Sequence, residues 1–220
     1  MSRLLIALLA VATASTQAAD IALYPTGPSQ DSAFLRFINP QASPLDLIAG
    51  GPDNRLRLDS TQPVSNYLTV PANQAIKGTL LRDGKRQMLS IQVAPGEFAT
   101  VIALGTTRQG IEPMVVREQP DDFNALKASV AFVNADKGCA RAGLRPAGLN
   151  VELFSALATG ELQRRAINPL HLAVQGRCGD VDAGPPLDLG LLKAGERYTV
   201  LLLPGANGPV LLRTLDTLAH

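Results

Sequence analysis

Two cysteines, two histidines and a scatter of carboxylates are the residues of this 220-residue chain whose types could support chemistry. A Ser/His/Asp hydrolase of the flat-sheet type needs a Gly-Asp-Ser nucleophile and an Asp shortly before its His. Here Gly179-Asp180 is followed by Val181, and the residue three before His171 is Asn168. Gly-x-Ser-x-Gly, His-Glu-x-x-His and the glycine loops that cradle phosphates do not occur. His171 alternates with Leu170 and Leu172 at strand spacing, which places it on a solvated face, and His220 ends the chain.

Paired carboxylates can hydrolyse glycosides without histidine. The adjacent pair Asp121-Asp122 falls where the apolar pattern breaks and reads as linker, while Glu97 and Glu196 follow Gly96 and Gly195 in turns that explain both. Arg164-Arg165 reads as a solvated basic pair, arginine being favoured also at protein interfaces. The expectation is no catalytic residue, no metal site and no cofactor.

Cys139 and Cys178 are the only cysteines, and in an oxidising compartment such a pair is expected to form a disulfide. A second pair of ligands at short spacing, as a structural metal would need, is missing. Arg141 and Arg177 would favour a thiolate if the pair were reduced. The compartment is suggested by residues 1–18: Arg3, the apolar run Leu4 to Ala12, then small Thr16 and Ala18 resemble an export signal cut after Ala18. The run is shorter than the roughly 20 residues that span a bilayer, so an uncleaved anchor is the weaker reading. A bacterial periplasm fits this pattern.

At 46% apolar and 18% charged residues the chain is a globular protein, and a net charge of +1 gives no surface suited to nucleic acid or an anionic bilayer. The absence of Trp, with three Tyr and six Phe, argues against the aromatic platforms of many sugar-binding modules.

The elements that position these residues come in two copies. Ala33-Phe34-Leu35-Arg36-Phe37-Ile38-Asn39 returns in 128–134, an offset of 95, and Pro95-Gly96-Glu97-Phe98 through Leu104 returns in 194–203, an offset of 99. The break lies in 112–122, where Pro113, Pro120, Glu118, Asp121 and Asp122 cluster. This gives a signal peptide at 1–18, a first module at 19–118 and a second at 122–220. Acidic and basic residues balance in each half.

Within each copy the apolar period is two, which is strand chemistry. Asp83-Gly84 predicts a type I′ hairpin between Leu80–Arg82 and Lys85–Val93. Pro204 to Pro209 predicts a longer loop between Val200–Leu203 and Val210–Leu215. Leu170, Leu172 and Val174 are expected to face a core, with His171, Ala173 and Gln175 facing solvent. Residues 153–165 remain open between a short helix and a loop with strands. The fold class expected is all-β, two tandem small antiparallel β-sandwich modules.

The mature opening Ala22-Leu23-Tyr24-Pro25, then Gly27-Pro28 and Ser32 to Asn39, resembles the start of the AlgF family, periplasmic alginate O-acetylation proteins. Leu126 to Asn134 is similar to that family's second-module opening, and Ala166 to Leu170 to a segment inside it. The resemblance implies a noncatalytic periplasmic adaptor of an exopolysaccharide O-acetylation complex, for alginate or for cellulose. Its implied partners are periplasmic acetyltransferases and a membrane-bound O-acyltransferase; the scarce aromatics and balanced charge add the expectation of little or no polysaccharide contact. Cys139 and Cys178 depart from the family pattern. The alternative is a polysaccharide-binding module; an acyl-transferring enzyme is the weakest reading. Tyr24 and Arg36 are interface candidates, although Tyr24 could pack over its own sandwich and Arg36 could simply alternate outward.

Overall fold

The computed structural model describes residues 32–51, 54–106, 109–119 and 124–219. The expected leader, Tyr24 and the Asp121-Asp122 pair lie outside them. Every regular element among the described residues is a strand. The first module holds β1 (Ser32–Ile38), β2 (Leu45–Ile48), β3 (Arg55–Leu58), β4 (Leu68–Pro71), β5 (Ala75–Arg82), β6 (Lys85–Gln92), β7 (Phe98–Leu104) and β8 (Glu112–Glu118). The second holds β9 (Ala128–Asn134), β10 (Ala142–Pro146), β11 (Phe154–Leu157), β12 (Leu162–Ile167), β13 (Leu170–Cys178), β14 (Val181–Leu192), β15 (Arg197–Leu203) and β16 (Val210–Leu215).

Each module is a sandwich of two four-stranded sheets. The first stacks β4-β1-β7-β8 on β3-β2-β5-β6, and the second stacks β12-β9-β15-β16 on β11-β10-β13-β14. The repeated segments are β1 with β9 and β7 with β15. They lie side by side in parallel in both modules, an exception to the otherwise antiparallel pairing. Asp83 and Gly84 take φ of 50° and 76°, both positive as a type I′ turn requires, and Arg82 pairs with Lys85 across it.

Alternation decides which face goes where. Leu35, Phe37, Val101 and Ala103 point into the first sandwich core with Leu45, Leu58 and Leu80. Val130, Phe132, Val200 and Leu202 do the same in the second with Leu144 and Leu157. The other faces of the same strands are also covered. Ile38, Ile102, Leu104 and Val116 meet Val133, Leu201 and Leu203 in a third core made by both modules. The molecule is therefore four sheets deep, and β1, β7, β9 and β15 are buried on both faces. That is why they read as unbroken apolar runs such as Thr-Val-Leu-Leu-Leu.

Asn39 and Asn134, the last residues of the repeated motif, do the same work in each copy. Their amides donate to the carbonyls of Leu58 and Leu157 at 3.1 and 3.0 Å, and their side-chain oxygens accept from the backbone N–H two residues on. The repeat motif is thus a latch between the two sheets of each sandwich.

The structure decides what the sequence left open and corrects other expectations. Residues 153–165 take the strand alternative, forming β11, a turn and the start of β12, with Ala156 at positive φ and Gly160 in the turn. Leu170 is 39% exposed whereas Gln175 is 6% exposed. The register of β13 on β14 shifts between Val174 and Gly176, and the Gln175 amide donates to the Gly176 and Gly184 carbonyls. Residues 112–118, part of the expected break at 112–122, form β8. Pro113 sits within this edge strand, where proline is tolerated.

Cys139 and Cys178 form a disulfide with Cα atoms 5.5 Å apart, tying the loop after β9 to the end of β13. The 39-residue separation corresponds to about 4 kcal/mol of loop-closure entropy. Cys139→Ala/Cys178→Ala is expected to lower unfolding free energy by about 2–4 kcal/mol in urea titration, and added reductant should reproduce the loss in the wild type. No change in either experiment would contradict a stabilising staple.

Candidate functional site: the seam between the modules

Strand periodicity that buries odd residues of β1 and β7 in the first core sends Arg36 and Thr100 to the seam. Arg36 is 1% exposed, so it neither alternates into solvent nor offers itself to another protein. It is an interface residue, but the interface is with the chain's own second module. Its Nε donates to Thr100 Oγ1 at 2.9 Å, one terminal nitrogen donates to Thr199 Oγ1 at 3.0 Å, and the other meets Asp216 at 2.6 Å. The guanidinium also lies 4.4 Å from the centre of the Tyr67 ring.

Thr100 and Thr199 are repeat equivalents, so Arg36 is gripped by matching residues of β7 and β15. Its own equivalent in the second copy is Ala131, whose register neighbour on β12 is Arg164. The Arg164 side chain is buried as well, against the expectation of a solvated basic pair, whereas Arg165 is exposed as expected. It pairs with both Glu118 oxygens, one at 3.0 Å, and with Asp216 at 2.9 Å. Arg197 reaches Glu118 at 3.3 Å.

Glu118 closes the last strand of the first module, and Asp216 follows the last strand of the second. Each carboxylate is thus held by arginine from the other module. Burial alone would raise the Asp216 pKa, but Arg36, Arg164 and Thr199 outweigh it and hold the carboxyl below its ordinary 3.8. Burial works against the Arg164 cation, yet Glu118 and Asp216 reverse the effect and its pKa is raised. The Tyr67 hydroxyl is pushed up by burial, with Arg36 opposing.

The chain then crosses the seam itself. Tyr67 N–H donates to Thr217 O and Ala219 N–H to Tyr67 O, both at 2.8 Å, while Thr217 Oγ1 donates to Asn66 Oδ1 at 2.6 Å. Each aliphatic side chain in the seam core contributes about 1.5–3 kcal/mol on burial. A buried ion cluster roughly breaks even against apolar packing but is costly to half-remove. The apolar residues therefore supply the cohesion of the seam, and the ions its register.

The loops after β1 and β7 meet their repeat equivalents after β9 and β15 at one end of the seam. They enclose a groove of about 590 Å³ with Gln41, Thr106, Gln109, Glu112, Asp136 and Lys137 in its walls. Lys137 and Glu112 form an exposed ion pair across it. A second cavity, about 330 Å³ and aliphatic, lies between the sheets of the first module.

The remaining sequence candidates serve local structure. Glu97 accepts from Ala94 N–H and Arg117 at 2.7 and 2.9 Å, Glu196 pairs with Tyr198 and Lys193, and His171 is exposed. Asp216, Thr100, Thr199 and Tyr67 were not singled out from sequence. The signal that marks the seam is a charged or hydroxylic residue set in strands whose apolar runs do not alternate.

No family profile matches the chain, and no curated protein matches it. Solved structures described as candidate cell adhesion proteins are similar to it in part. One, from Bacteroides uniformis, has a TM-score of 0.29 at 9% identity, covering 86% of this chain and 99% of that one. Another, from Bacteroides ovatus, has 0.28 at 8% identity, covering 86% and 98%. Overlaps this loose carry no argument about function.

Asp216→Asn is expected to cost about 3–5 kcal/mol at pH 7, because Arg36 keeps its burial and loses its carboxylate partner, while Arg164 is left with Glu118 alone. A carboxyl whose pKa is depressed on folding contributes stability that is complete above its unfolded value near 3.8 and is lost as pH falls through the folded value. The gap between wild type and Asp216→Asn in denaturant titrations should therefore shrink below about pH 4. A gap independent of pH would contradict the assignment.

Proposed function

We propose that this chain is a noncatalytic periplasmic adaptor of an exopolysaccharide O-acetylation complex, acting on alginate or cellulose. Its surfaces would hold periplasmic acetyltransferases and a membrane-bound O-acyltransferase in working proximity. The observation that carries the reading is the seam. Two modules locked by a buried ion cluster present loops from both copies in one composite groove, and a fixed composite surface is what a scaffold needs. The titratable residues gathered at the seam, Arg36, Glu118, Arg164 and Asp216, are spent on holding the modules together. The AlgF-like opening around Ser32 to Asn39 and the paired modules support the same reading.

The alternative polysaccharide-binding reading draws on the same groove, whose Gln41, Gln109 and Asp136 could hydrogen-bond sugar hydroxyls. Affinity electrophoresis in alginate and cellulose gels separates the two, retardation favouring the alternative.

Capture of tagged full-length chain from detergent-solubilised envelope is expected to recover an O-acyltransferase with many membrane spans. Lys137→Glu with Gln109→Arg, which reverse charge or add bulk in the groove, should reduce recovery about tenfold while leaving the unfolding transition in place. Recovery of no acyltransferase component would sink the adaptor reading.

A further inference from the structure

We propose that the aliphatic cavity of the first module is a binding site for a single-chain anionic amphiphile, an alkyl tail carrying a carboxylate. The inference is independent of the adaptor reading and rests on comparing the two copies of the module. In the first, Leu45 pairs with Leu58 and Leu47 with Leu56. In the second, Ala142 pairs with Leu157 and Leu144 with Phe154, the strand absorbing one extra residue. The asparagine latches mark Leu58 and Leu157 as equivalents, so Leu56 and Phe154 occupy the same place.

What those two residues do is different. Phe154 is 1% exposed and packs on Phe132, ring centres 5.8 Å apart. Leu56 is shorter and only half-buried, and Phe37, the repeat equivalent of Phe132, borders open space instead. The same fold thus fills this volume in one copy and leaves about 330 Å³ in the other. That is more than twice the roughly 150 Å³ of an engineered cavity that admits benzene, and within the range of ligand sites.

The lining defines the ligand. Leu47, Leu68, Val70, Ile76 and Leu89 offer nothing to a polar group, which calls for a flexible alkyl chain. The charged residues in the lining are Arg55 and Lys77; both are exposed and alternate with inward Leu56 and Ile76, so they stand at the rim of the cavity and not inside it, and a head group held at that rim is an anion. Arg55 lies 3.9 Å from Asp46, which Arg57 approaches at 3.5 Å, so local cations outnumber that carboxylate. Leu56, Leu68 and Val70 belong to β3 and β4, the edge strands of the two facing sheets, which gives the tail a path between them.

Titration of the full chain with dodecanoate at neutral pH, followed by calorimetry, tests this. Saturable binding of one equivalent is expected, about tenfold weaker for dodecanol and for Lys77→Glu. Leu56→Phe should abolish binding by reproducing the second module's packing. Ile76→Phe, entering from β5, provides the same test should the first variant not fold. Absence of saturable binding, binding unaffected by either Phe substitution, or equal affinity for dodecanol would overturn the proposal. So would capture by phosphatidylglycerol vesicles without dodecanoate binding, since that would mark a membrane surface rather than a site for a free amphiphile.

Discussion

The Arg36 guanidinium is the point on which the arrangement of this molecule turns. It sits in the middle of the first strand with apolar neighbours on either side, and burial of such a cation is tolerable only if every donor finds an acceptor. Thr100 comes from its own module; Thr199 and Asp216 come from the other. The first module cannot satisfy Arg36 by itself, and its Glu118 is held only by Arg164 and Arg197 of the second, Arg164 also taking Asp216 of its own module. Each half therefore carries a buried charge that only the other half completes, which selects one docking geometry among the many that two apolar sheet faces would allow.

Duplication explains both the order and the asymmetry of the seam. Ile38 and Val133, Ile102 and Leu201, and Leu104 and Leu203 are equivalent pairs that meet in one core. Strict symmetry would put two arginines or two alanines at the 36/131 position. Two arginines would repel and two alanines would leave a void. One of each lets a single side chain cross, and Arg164, the β12 neighbour of Ala131, brings a second cation that Glu118 and Asp216 balance. The copies have diverged elsewhere in the same spirit. The second has a disulfide and a phenylalanine-filled core, and the first has an aliphatic cavity between its sheets.

A double sandwich with a buried, charge-registered seam would suit the proposed scaffolding role. Cohesion resides in the apolar core of the seam, register in the ions, and the variable loops are left to form the groove around Lys137 and Glu112. Loops on a fixed scaffold can diverge without disturbing the core, which is how two copies of one module come to share one composite face.

Much of this was legible in the residues. The period-two pattern, the Asp83-Gly84 turn, the repeated strand ending in Asn and the lone cysteine pair led to an all-β tandem sandwich with a disulfide, because those signals are local or nearly so. The helix-or-strand ambiguity at 153–165 was settled only by pairing, since β12 exists by virtue of its neighbour β9. Arg36 was read as a contact for another protein or as an outward, solvated side chain, and it is neither: it is buried against the chain's own second module. Alternation tells which side of a strand a residue takes and not what covers that side. Asp216 is 180 residues from Arg36 in sequence and 2.6 Å away in space, and no local pattern encodes that closure.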